Sequence, residues 1–173
     1  GMGLQGAGLA TGGYDGSSYV ASNESWNGTS WTEVGDLNDG RTALQGSGIA
    51  TAALVAGGES PGIVGKTETW NGTAWTEVND LNDARYTAGM STNAVNTDTL
   101  LFGGFTPGST ANTETFDGTS WTEVANMANA RYTATGSGVG NGAIASGGDA
   151  NGNAATATEE WSFAHPVKSI DVS

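Results

Sequence analysis

Three arginines stand at matched places along this 173-residue chain: Arg41, Arg85 and Arg131. Brought to one mouth, three guanidiniums would form a receptor for a carboxylate or phosphate, because each presents a planar fork of donors that fits two oxygens of such an anion. The same recurrence has a structural reading, in which each arginine pairs with a repeated acid such as Glu68, Glu77 or Asp80 and ties one unit of the chain to the next. The arginines are carried as candidate ligand-binding residues, with the ion pair as the competing role. Tyr14, Tyr19 and Phe105 join them as candidates, since they lie in or near the most variable stretches, where an exposed ring would stack on a sugar.

Other chemistries find little support. The chain has no Cys, which removes disulfides, thiolate metal sites and a cysteine nucleophile. Its one histidine, His165 beside Pro166, has no partners with which to build a metal site or a triad and reads as a loop residue. Asp149, Asn151 and Asn153 alternate oxygen donors that would suit calcium, but no glutamate follows where a calcium-binding loop closes. No metal, cofactor or catalytic residue is expected. Eighteen acidic against five basic side chains give a net charge of −13, which repels nucleic acid and anionic membranes. No apolar run approaches the ~20 residues of a membrane helix, GMGLQGAG carries no charged n-region of a signal peptide, and Gly1 before Met2 reads as a tag-cleavage scar.

The elements that would hold these residues are set by an internal repeat. WNGTSWTEV at Trp26 to Val34 returns as WNGTAWTEV at Trp70 to Val78 and as FDGTSWTEV at Phe116 to Val124. Paired glycines at Gly12-Gly13, Gly57-Gly58, Gly103-Gly104 and Gly147-Gly148 mark the same period of about 45 residues. Within one unit, TALQGSGIAT, AALVAGG, KTETW and TAWTEV read as four strands, with Asn71-Gly72 as a hairpin turn in which both residues tolerate positive φ. That turn chemistry also accounts for the sequons at Asn23, Asn27 and Asn71, because the third copy replaces the asparagine with Asp117, which no glycan would accept. Trp31, Trp75 and Trp121 alternate with polar residues and should pack between neighbouring units. Four antiparallel strands per unit describe a propeller blade. The expected fold is all-β: one domain over residues 1–173, a β-propeller of about four blades, with repeat units near 1–40, 41–84, 85–130 and 131–173.

The order of Arg, a small-residue strand, an apolar strand ending in Gly-Gly, Glu-x-aromatic-Asn/Asp and then Trp resembles the Kelch motif, over almost the whole chain. More narrowly, TEEW, NGTSWTEV, NDLNDAR and VKSIDVS resemble Kelch-like arrays in structural proteins of marine cyanophages. The chain departs from the common family pattern in having fewer units. Two enzyme types found on propellers fit poorly. The Asp-box of sialidases needs a residue between Asp and Gly that Asp117-Gly118 lacks, and two of the four tyrosines that might act as nucleophile, Tyr86 and Tyr132, merely follow the repeated arginines. Galactose oxidase needs a Cys-linked tyrosine and histidine copper ligands.

The two ends of the array are incomplete. LQGAGLATGG at Leu4 to Gly13 is shorter than LQGSGIATAALVAGG at Leu44 to Gly58, so the first blade is expected to want its inner strand. The last blade, ending at TEEWS, lacks a WTEV strand, and the tail VKSIDVS is the candidate to replace it and close one ring; two chains in an eight-bladed ring are the alternative. By resemblance the chain is expected to be a non-enzymatic, virion-associated module that recognises a protein or glycan through its loops, with possible self-association to complete the ring. A sugar-binding lectin and, further off, a propeller glycosidase are the alternatives.

Overall fold

Each repeat folds into one antiparallel sheet because turn-forming residues fall where its strands must reverse. A computed structural model describes residues 1–92 and 97–162, all strand and connection. The first sheet holds β1 (Met2–Leu4), β2 (Ala7–Tyr14), β3 (Tyr19–Trp26) and β4 (Trp31–Glu33); the second holds β5 (Gln45–Ile49), β6 (Ala52–Ala56), β7 (Thr67–Trp70) and β8 (Trp75–Val78). The third comprises β9 (Gly89–Met90), β10 (Thr99–Phe102), β13 (Thr113–Phe116) and β14 (Trp121–Val124), with a small hairpin of β11 (Phe105–Thr106) and β12 (Gly108–Ser109) between β10 and β13. Among the described residues the fourth has three strands: β15 (Thr135–Val139), β16 (Gly142–Ser146) and β17 (Thr158–Ser162). The sheets are the blades of a four-bladed β-propeller. The tail and His165 lie outside the described residues.

Two local expectations are corrected. The first blade has its inner strand: Met2–Leu4 pairs with Ala7–Leu9, so Leu4-Gln5-Gly6 leads through a turn, whereas the look-alike Leu44-Gln45-Gly46 leads into a strand. The outer hairpin is not a two-residue turn with two positive φ values. Trp70 pairs with Trp75, and only Gly72 is left-handed, at φ 93°. Asn71 works through its side chain: its Oδ1 accepts hydrogen bonds from the amides of Thr73 (2.9 Å) and Ala74 (3.0 Å). A carboxylate does this equally well, and Asp117 Oδ1 accepts from Thr119 and Ser120, both at 2.8 Å.

Blades pack through three apolar clusters. Leu9 and Leu37 of the first blade and its outgoing connection meet Ala53, Val55, Trp70 and Trp75 of the second. Leu54 and Ala56 then meet Met90, Leu101, Phe116 and Trp121 of the third, and Leu100 and Phe102 meet Ala143, Ala145 and Trp161 of the fourth. Alternation on each strand thus gives every blade a front face toward its predecessor and a back face toward its successor. Among the described residues no such cluster joins the fourth blade to the first. Trp31 consequently departs from expectation: it is 49% exposed, where its counterparts Trp75 and Trp121 are 5% exposed.

Backbone contacts fix the spacing between blades. The second glycine of each of the first three pairs donates to an arginine carbonyl of the next blade: Gly13 to Arg41 (2.8 Å), Gly58 to Arg85 (3.0 Å) and Gly104 to Arg131 (2.9 Å). The first glycine must be glycine, because a Cβ on Gly57, at φ 67°, would lie 2.3 Å from the Arg85 carbonyl oxygen. A second ladder runs through left-handed Ala43, Thr87 and Thr133, with Thr87 N–H donating to Ala43 O (3.0 Å) and Thr133 N–H to Thr87 O (2.7 Å).

Two outcomes follow. Gly57→Ala and Gly147→Ala share the backbone strain, at φ 67° and 65°, but a Cβ on Gly147 meets nothing closer than Ala155 O at 3.9 Å. Chemical denaturation should find Gly57→Ala the more destabilising by roughly 1–3 kcal/mol, the cost of overpacking. The second concerns Asp117, whose pKa the Ser120 and Thr119 amides hold below its ordinary value. A depressed carboxyl pKa contributes stability above the unfolded value that is lost as pH falls through the folded one. Asp117→Asn, which installs the residue of the first two blades, should melt like the parent at neutral pH and lose less melting temperature on acidification.

Candidate functional site

Alternation of strand direction sorts the connections to two ends. The Asn-Gly or Asp-Gly hairpins and the β1–β2 type turns share one end; the β2–β3 type loops and the arginine-bearing connections share the other. All candidate residues therefore gather at the second end, and the sequence was right to put the arginines on one face. Their guanidiniums, however, turn inward.

Arg41 Nη1 lies 2.6 Å from Glu68 Oε1, Arg85 Nη2 2.9 Å from Glu114 Oε1 and Arg131 Nη2 2.6 Å from Glu159 Oε1. All three arginine side chains are fully buried. Of the three acids offered as partners for the arginines, it is Glu68 that pairs, and the pairing lies within one blade. The second carboxylate oxygen is also used: Glu68 Oε2 accepts from the Asn38 amide (2.9 Å) and its Nδ2 (2.7 Å), and Glu114 Oε2 accepts from Asn82 in the same way. The fourth blade has Ala128 at this place, so Glu159 Oε2 keeps only the backbone donor. Burial pulls the Arg85 pKa below its ordinary value, opposed by Glu114. The cation remains, because the carboxylate is 2.9 Å away and guanidinium deprotonation lies far from neutral pH.

Above the arginines, aromatic rings form a rim. The residue after each arginine faces the residue after each double glycine, as the bridges Thr42–Glu59, Tyr86–Phe105 and Tyr132–Asp149 record. Tyr86 and Phe105 have ring centroids 5.3 Å apart, and Phe105 meets Tyr132 edge-on at 5.4 Å, so one contact crosses from the third blade to the fourth. Tyr14 and Tyr19 pair at 5.5 Å on the first blade, and Tyr19 Oη donates to Glu59 Oε1 of the second at 3.3 Å. Tyr14 is exposed and Tyr19, Tyr86, Phe105 and Tyr132 are partly exposed. Burial first, and then the neighbouring acid, raises the Tyr19 pKa beside Glu59 and the Tyr132 pKa beside Asp149, so both phenols stay protonated donors at neutral pH.

Of the candidates, Tyr14, Tyr19 and Phe105 stand on this rim, while Arg41, Arg85 and Arg131 lie beneath it. Tyr86 and Tyr132, set aside as followers of the arginine, are rim residues too. The signal was their place: the position after Arg always faces the position after Gly-Gly. Asp149 Oδ1 is engaged with the Gly152 amide at 2.5 Å in a loop turn, and among the described residues no group of three or more His, Asp or Glu could hold a metal ion. Among them, too, no helix is long and apolar enough to cross a membrane.

No family model matches the chain, and no curated protein is significantly similar to it.

The buried pairs yield a prediction. Arg85→Ala would leave Glu114 buried without its cation and should cost about 3–5 kcal/mol in denaturant unfolding. Tyr86→Ala beside it, on a partly exposed ring, should cost far less.

Proposed function

We propose that this chain is a non-enzymatic recognition module of the Kelch type, whose aromatic rim binds a glycan or an extended protein segment. The observation that carries the reading is the run of Tyr86, Phe105 and Tyr132 across two blades at the loop end. Flat apolar rings stack on the faces of sugars, and Glu59 and Asp149 stand at the same end, each with one carboxylate oxygen held by the protein and the other to offer a hydroxyl group. Rim residues are free to vary because the fold is held below them by the arginine pairs and double glycines.

The likeness of TEEW, NGTSWTEV and NDLNDAR to Kelch-like arrays in cyanophage structural proteins supports a virion setting, in which the rim would meet a host surface. A glycan ligand is favoured over a protein by the pairing of rings with acids instead of basic residues. The buried arginines supply no anion receptor to this reading.

Glycan-array screening of the full chain, followed by titration of the best hit, tests it. Binding should fall at least tenfold in Tyr132→Ala and Phe105→Ala with little change in melting, and should be untouched by a substitution at the opposite end such as Thr73→Ala. Binding that survives both rim substitutions would overturn the site, and hydrolysis of a sugar panel by the parent would overturn the non-enzymatic reading.

A further inference from the structure

The first blade's front face and the last blade's back face are the two halves of one interface that the chain makes three times internally. On the front, Trp26 and Trp31 keep the paired geometry of the inner blades, with centroids 5.4 Å apart against 5.4 Å for Trp70–Trp75 and 5.0 Å for Phe116–Trp121. Yet Trp31 is 49% exposed. On the back, Ile144 occupies the register position of Leu54 and Leu100, and it is 48% exposed where those two are fully buried.

The interface between the second and third blades shows what such a back face can receive. Trp121 donates its indole N–H to Thr67 Oγ1 of the preceding blade at 2.9 Å. Trp31 is the counterpart of Trp121, and Thr158, which pairs with Ser146 as Thr67 pairs with Ala56, is the counterpart of Thr67. Gly147 also keeps the backbone shape of the inner latches, at φ 65° beside 65°, 67° and 62° for Gly12, Gly57 and Gly103, although no arginine carbonyl presses on it.

We infer that a second copy of this chain docks head to tail, its first-blade Trp26–Trp31 face against the Ile144–Thr158 face of the last blade. The contact is heterologous, so it closes only if the rotations sum to a full turn; two copies supply eight blades, within the range in which propellers close. One residue opposes the contact. Glu160 stands opposite Ile144, where the second and third blades have Thr69 and Thr115. With −13 charges on each copy, association should strengthen as salt screens the repulsion.

Sedimentation velocity on the full chain over a concentration series, at low and at high salt, decides this. Masses of two or more copies are expected, rising with concentration and salt. Ile144→Glu and Trp31→Ser, both on exposed positions, should return the mass to one copy with circular dichroism unchanged, while Glu160→Thr should tighten association at least tenfold. A one-copy mass at every concentration and salt, in the parent and in Glu160→Thr alike, would overturn the inference. Shielding of Trp31 from acrylamide in such a monomer would assign the cover to the chain itself.

Discussion

A buried guanidinium paired with a carboxylate recurs in three of the four blades, the carboxylate itself buried in two of them, and the other features of the repeat are arranged around it. Removing either ion from water is costly, and the attraction between them repays the loss only when the remaining lone pairs and protons are met. Glu68 and Glu114 meet the carboxylate half of this, with one oxygen beside the arginine and the other on two donors of an asparagine, whereas Arg41 Nε and Arg85 Nε find no hydrogen-bond partner among the described residues. The asparagine lies in the connection entering the blade, so the pair fastens the incoming chain to the third strand. With the side chain pinned inward, the arginine backbone carbonyl is aimed at the previous blade, where it accepts from a glycine N–H and only a glycine leaves room for it. One ion pair thereby sets both the fold of its blade and the spacing to the neighbour.

The period, the strand count and the end on which the arginines lie were legible because each rests on residues repeated at a fixed interval. Arg41, Gly57 and Trp70 announce themselves by recurrence. What recurrence could not decide was direction. An arginine at a loop mouth can point to solvent or to the core, and the choice depended on Glu68, one of several repeated acids. The first blade misled for a similar reason: LQGAG and LQGSG are nearly the same string, but they occupy different registers, and register is set by pairing partners that similarity of composition does not reveal.

The rim was only half visible in the sequence. Phe105 and the first-blade tyrosines drew notice through variable loops, whereas Tyr86 and Tyr132 were masked by adjacency to a repeated cation. Their role emerges from the bridge that joins the arginine connection to the loop after the double glycine. That bridge brings Tyr86 and Phe105 into ring contact in the third blade, from which Phe105 reaches Tyr132 of the fourth.

The outer hairpins and the loops at the opposite end differ in a way that bears on how such a molecule changes over time. A hairpin closed by Asn71 or Asp117 uses its side chain to cap backbone amides, so it admits few alternatives and no added length. Loops leaving the double glycine are not built to one pattern: Asp15 and Asp149 cap backbone amides in the first and fourth blades, whereas the third blade builds a small extra hairpin there. Insertions and substitutions can accumulate at one pole of the ring while the other stays fixed, so a lineage of these chains would diversify its specificity on a constant frame.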